Sequence, residues 1–249
     1  MNTLIRTEIL KQHTLRTFTV SVAATPVIAA LIAVAGLAAA GHQDNEPLSP
    51  ASLHQLLAAP ASVIAAIALL LGVVGMTSEY RHQTITNTFL ASPRRSRVVL
   101  SKLAAHAITG ALIGLASLTV TLAIGLPWLA ARGIDLDIGR ETVRIALGVI
   151  GSTALYGALG VSIGALIRNQ ALACAAVLTW LLAVEDLLGD VFHDSTMLRW
   201  LPVAAGRAMV STDATVGALP VPLAVAALTT FVVLFGLAAT RTTLRRDVT

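Results

Sequence analysis

The chain has 249 residues, 12 % of them charged and 56 % apolar, with a mean hydropathy of +0.81 and a formal net charge of +4. Soluble domains are roughly a quarter charged, so this composition excludes an ordinary soluble enzyme, a disordered chain and a secreted disulfide scaffold. A single cysteine, Cys174, has no partner for an internal bridge, and no Cys/His cluster suggests a metal site. The sequence is that of a membrane protein. Its basic balance therefore bears on orientation in a bilayer rather than on nucleic acid.

Residues 2–17 come first and are mixed. Leu4, Leu15 and Phe18 share one helical face with Ile5 and Ile9 beside it, but Glu8 and Lys11 intrude on the same arc. Two readings stay open, an interfacial helix with basic side chains reaching headgroups and a frayed terminus. Beyond it, charge-free intervals locate the spans, because about 20 apolar residues cross about 30 Å of hydrocarbon. Uncharged runs of 27, 32, 29, 23, 16 and 27 residues follow Arg16, Glu46, Lys102, Arg144, Arg168 and Asp213. They predict six helices, near 18–40, 56–77, 103–130, 145–167, 170–189 and 219–240. The first is too long for a signal-peptide core of about 7–15 residues and is expected to be retained. Pro26 and Pro127 are positioned to kink spans one and three.

An even number of spans puts both termini on one side. With the termini inside, that side holds 12 of the 17 basic residues and the outside holds 10 of the 13 acids. The positive-inside rule therefore predicts cytoplasmic termini, with 241–249 as a cytoplasmic tail. Two connecting stretches exceed the rest, a cytoplasmic one over 78–102 and an outer one over 185–219.

The stretch 78–102 is the more informative. Ser78 is read as capping a helix that starts at Glu79, Tyr80, Ile85 and Phe89 recur near helical spacing, and Pro93 stops it. Arg94, Arg95 and Arg97 then lead into span three. One reading is that the arginines only satisfy topology and touch anionic lipid; the other is a docking helix for a soluble partner.

Within the spans, Gly110/Gly114 and Gly157/Gly160/Gly164 allow close helix contact, expected inside one subunit rather than at a dimer seam. His106 reads as structural, and Cys174 as a small buried apolar side chain. Glu185 and Asp186 are the only carboxylates in a predicted span. They are either functional or wet, with span five ending a turn early. Val191, Phe192, Trp200, Leu201 and Val203 then suggest short re-entrant or interfacial helices. The sequence has no GxxxxGK[ST] loop, no HExxH and no GxSxG, so neither a catalytic nor a metal constellation is expected.

The run Glu79-Tyr80-Arg81-His82-Gln83-Thr84-Ile85, with Leu90, Pro93, Arg95, Arg97 and Lys102, closely resembles the type-2 ATP-binding-cassette (ABC) permease family. Arg168-Asn169-Gln170, Trp180 with Glu185, and Arg199-Trp200-Leu201-Pro202 fit the same layout in order. Gln83 departs from the family's usual glycine. The resemblance implies an all-α, six-span permease domain over 1–249 in the plasma (inner) membrane. It implies a coupling helix over 79–90, with Glu79, Tyr80, Arg81, Thr84, Ile85, Phe89, Arg95 and Arg97 touching an ATPase subunit, and a connecting helix over 2–17. The expected partners are two copies of a soluble ATPase, which bind the ATP and Mg, and a second permease subunit, identical or closely related. A pathway lined by spans two and five would use Ile64, Ile67, Leu71, Leu178, Thr179 and Leu181, and Glu185, Asp186, Trp200 and Pro202 would form an outer gate. The apolar lining favours export of a hydrophobic or amphipathic molecule. The rival expectation is a non-transporting immunity or sensor subunit that uses the same docking loop.

Overall fold

The computed structural model describes residues 2–14, 16–39, 51–82, 95–134, 136, 138–192, 196–211 and 219–245. They are helical throughout their ordered elements, with no strand among the described residues. Helix α1 (Asn2–Thr14) precedes α2 (Arg16–Ala39), α3 (Ser52–Ala58) and α4 (Ala61–Arg81). Then come α5 (Arg95–Ala131), α6 (Arg140–Leu166), α7 (Gln170–Thr179), α8 (Glu185–Val191), α9 (Pro202–Val210) and α10 (Val221–Arg245). Among the described residues six helices are long and apolar enough to cross a membrane, Phe18–Ala39, Ser52–Arg81, Arg97–Ala131, Arg140–Leu166, Gln170–Val191 and Val221–Arg241. All six correspond to the charge-free intervals, including the short fifth one.

The boundaries differ where local chemistry intervenes. Span two begins earlier than expected and is made of two pieces. Pro60, which has no N–H to continue the ladder, separates α3 from α4, although the chain stays helical in direction through Ala59 and Pro60. Pro26 and Pro127 lie inside α2 and α5 without ending either. Helix α5 stops at Gly133, whose φ of +71° suits a residue with no Cβ. Ile134 N donates to Leu129 O (3.2 Å) and Gly133 N to Ala130 O (3.0 Å), the paired bonds of a Schellman stop. The fifth span contains a π-helical turn, Trp180–Val184, between α7 and α8.

Helix α6 is the axis of the bundle and packs on α3, α4, α5, α9 and α10. Two-thirds of its most apolar window (67 %) is buried, against 11 % for the fifth span. Glycines set how closely its neighbours come. A Cβ on Gly160 would lie 2.0 Å from Leu69 O of α4, and one on Gly72 of α4 would lie 2.2 Å from Gly157 O. On the opposite flank a Cβ on Gly110 would lie 2.3 Å from Thr153 O. These small-residue spacings thus serve packing inside the subunit, as expected from the sequence. His106 is likewise structural. It fills the notch above Gly75 and stands edge-on to Phe18, with ring centroids 6.0 Å apart.

One end of the bundle carries α1, the end of α4, the start of α5 and the turn between α6 and α7; the other carries α3, α8 and α9. By their residues these are the basic end and the acidic end. A packed patch between α2, α4 and α5 joins Phe18, Ala29, Ile64, Leu71 and Ile113, with Ile67 against it. Ile64 and Leu71, two of the residues expected along the pathway, are thus buried between helices of one subunit, with Ile67 packed against them.

Candidate functional site

At the basic end the sequence reading needs one correction. Ser78 does not cap a new helix. Its hydroxyl donates to Gly75 O within α4, and His82 N donates to Ser78 O. The α4 ladder therefore runs on to Arg81, and Glu79 sits in its last turn. A carboxylate there faces the negative end of the helix dipole, and Glu79 is also buried. Both costs call for cations. Lys102, two turns into α5, places Nζ 2.7 Å from Glu79 Oε1 and 2.7 Å from Glu8 Oε2. Lys11 Nζ lies 3.2 Å from Glu79 Oε1 and 3.4 Å from Glu8 Oε1. Two acids and two lysines thus form a neutral junction between α1, α4 and α5.

The junction explains why α1 looked irregular. The inward stripe of α1 is polar, with Glu8 and Gln12 one turn apart and both buried. Thr109 of α5 donates to Gln12 Oε1 at 2.6 Å, below the ion pairs. The residues that spoiled an apolar face are the ones that dock it. Lys11 is half-exposed. Burial lowers its proton affinity, but the charges of Glu79 and Glu8 outweigh that and hold its pKa above 10.5.

The next two residues reach elsewhere. Tyr80 lies under the guanidinium of Arg168, 5.4 Å from ring centre to Cζ. Arg81 makes a long 3.5 Å hydrogen bond to Gln170 Oε1. Between these two partners Asn169 caps α7 by accepting from Leu172 N at 3.1 Å. Three consecutive side chains therefore tie the end of α4 to α1 and α5, to the α6–α7 turn and to the start of α7. Arg97 is exposed on α5, and Arg95 begins that helix. Thr84, Ile85 and Phe89, with the rest of the expected helix beyond His82, lie outside the described residues.

At the acidic end Glu185 is buried without a cation. Its carboxylate accepts from Val203 N (2.8 Å) and Ala204 N (2.9 Å), two free amides in the first turn of α9, and from Trp180 Nε1 (2.7 Å). The π turn makes the last bond possible. In an α-helix residues five apart point about 140° from each other, whereas a π turn stacks them. Asp186 is exposed and pairs with Arg207 of α9 at 3.1 Å. Of the two acids, then, one is buried and fully bonded and the other is wet. Pro202 occupies the first position of α9, and Trp200 ends a 3₁₀ turn just before it, half-exposed. The four residues expected at an outer gate are gathered around one short helix.

Beside α9 lies a cavity of about 640 Å³, whose walls include Ala61, Ser62 and Ala65 of α4, Ser152 and Tyr156 of α6, Leu181, and Gly206 and Arg207 of α9. Tyr156 donates to Pro202 O at 2.9 Å and so anchors α9 to α6. Of the expected pathway residues Leu181 lines this space, while Leu178 and Thr179 lie on the exposed face of span five. Sequence reasoning missed Glu8, Lys11 and Tyr156 as site residues. For the first two a signal existed in their position on an otherwise apolar face. No group of acids, histidines and cysteine suited to a metal occurs among the described residues. The family model described as ABC-2 family transporter protein matches residues 4–185, from α1 to the start of α8. No curated protein matches the chain.

Proposed function

The chain belongs to the ABC-2 family of transporter proteins, and from that premise we propose that it is the permease subunit of an exporter worked by a separate soluble ATPase. The observation that carries this reading is the end of α4, where Glu79, Tyr80 and Arg81 fasten the base of one loop to four other parts of the bundle. A push on that loop has a short mechanical path into the spans. The ATPase docks on the loop through Arg81, Thr84, Ile85, Phe89, Arg95 and Arg97. Glu79 and Tyr80 face inward and hold the loop rather than touch the partner. ATP and Mg²⁺ bind to the ATPase, since this sequence has no phosphate-binding loop.

The basic end faces the cytoplasm, in keeping with its excess of Lys and Arg, and the membrane is the plasma (inner) membrane. Two permease copies, identical or closely related, meet along the sparsely buried fifth span, with Leu178, Thr179 and Leu181 toward the pathway. The mostly apolar cavity beside α9, within the size range of small-molecule sites, suits a hydrophobic or amphipathic substrate. Glu185, Asp186, Trp200 and Pro202 govern its outer side.

Affinity purification in mild detergent from the native host tests the reading. The expected result is a stoichiometric soluble ATPase that is lost with Ile85→Pro, while membrane insertion persists. Recovery of this chain alone, after cross-linking in the membrane, overturns it and leaves a non-transporting membrane subunit.

A further inference from the structure

We propose that Lys102 is a positioning residue that locks α1, the end of α4 and the start of α5 into one body, so that movement of the loop is passed to the first span as well as to spans two and three. The geometry is specific. Lys102 is 2 % exposed, and its single ammonium binds two carboxylates that lie 23 and 94 residues away in sequence. Glu79 lies in the last turn of α4 and Lys102 two turns into α5, so their contact fastens these two helices to each other. Glu8 then attaches α1, and one residue separates α1 from α2. Glu8 thus adds a charged link from the end of α4 and α5 to α1, beside the Thr109–Gln12 bond and the packing of span one on spans two and three.

The chemistry explains why a lysine is used. One ammonium has three donors and reaches one oxygen of each of two separate carboxylates at 2.7 Å. Lys11 completes neutrality from the solvent side, where it is half-exposed. A buried ion cluster is weak evidence for stability, because desolvation offsets much of the attraction, but it is demanding in geometry. Removing Lys102 alone leaves two carboxylates to one half-exposed lysine. The contact is therefore closer to a fixed joint than to a sliding apolar surface.

This inference rests in part on the transporter reading, so its test has one measurement that does not. Lys102→Met alone leaves excess buried negative charge and risks misfolding. The informative variant is Lys102→Met with Glu8→Gln, which keeps Glu79 and Lys11 as a balanced pair. In a Cys174→Ala background, spin labels at Leu10→Cys and Leu100→Cys, both more than half exposed, report the α1–α5 distance in lipid nanodiscs. The expected result is one narrow distance for the parent and a broad or displaced distribution for the double variant, with Lys102→Arg close to the parent. In the complex with the co-purified ATPase, labels at Leu147→Cys and Leu182→Cys follow the acidic end. ATP with vanadate shifts their distance in the parent, and the double variant loses that shift while ATP hydrolysis continues, a drop in coupling of about tenfold or more.

An unchanged α1–α5 distance in the double variant overturns the proposal. So does a loosened α1 with the ATP-driven shift intact. A parent that shows the narrow distance but recovers no ATPase supports the lock and overturns the transporter reading.

Discussion

Glu79 and Glu185 are two buried glutamates at opposite ends of the same bundle, and they are neutralised by different means. Glu79 stands at a helix C-terminus, where the backbone repels it, and depends on ammonium groups brought from α1 and α5. Glu185 faces the N-terminus of α9 and needs no cation, because two backbone amides and an indole N–H suffice. The first arrangement joins elements distant in sequence through charge. The second fixes one short helix to its neighbour through directed hydrogen bonds. Both contacts are demanding in geometry, but the first ties three helices together, whereas the second holds one short helix in place.

Substitutions sharpen that contrast. The largest effect is expected from Lys102→Met, which strands two carboxylates beside one partly exposed lysine and costs about 3–5 kcal/mol. Thermal unfolding in detergent checks it, and adding Glu8→Gln should restore much of the loss. Glu185→Ala comes next at about 2–4 kcal/mol, since it removes charge-assisted bonds to amides that stay buried. Hydrogen exchange should rise at Val203 and Ala204 while α1 stays protected. If the two regions protect each other equally, the contrast fails.

Gly148→Ala should cost about 1–3 kcal/mol, because its Cβ would come 2.0 Å from Met209 O and push α9 away from α6. The loss should appear as faster exchange in α9 alone. Lys11→Gln should cost less than about 1 kcal/mol, as half-exposed pairs are screened. Its pH dependence has a definite sign. The folded pKa of Lys11 is raised above 10.5, so its contribution is fully present below that value and fades as pH climbs through the folded pKa. Alkaline titration should loosen α1, read by the Leu10–Leu100 distance, and the Lys11→Gln protein should respond less. Asp186→Asn, in a pair that is more than half exposed on both sides, should change stability by less than about 0.5 kcal/mol.

The spans were legible because the cost of a charge in hydrocarbon leaves uncharged runs, and even the short interval before Glu185 marked a helix. The sites were less so. Glu79 looked like the start of a helix because Ser78 precedes it, and a capping serine cannot be told from one inside a helix by local sequence. Its partners lie far along the chain, and periodicity carries no information about such pairings. The π turn has no compositional mark, so nothing foretold that Trp180 would reach Glu185. Ile64, Ile67 and Leu71 were ambiguous for a related reason. An apolar residue in a span packs against protein, lipid or a pathway with the same hydropathy.

The sparse burial of the fifth span also bears on how such a chain diversifies. Its outward residues, Leu172, Leu178, Leu182 and Leu187 among them, contribute little to holding the subunit together, so their replacement by other apolar groups is nearly neutral for the fold. The glycines between α4 and α6 allow no such exchange. Mutation can therefore change these outward residues at little cost to the subunit's own fold, while the frame that supports them stays constant.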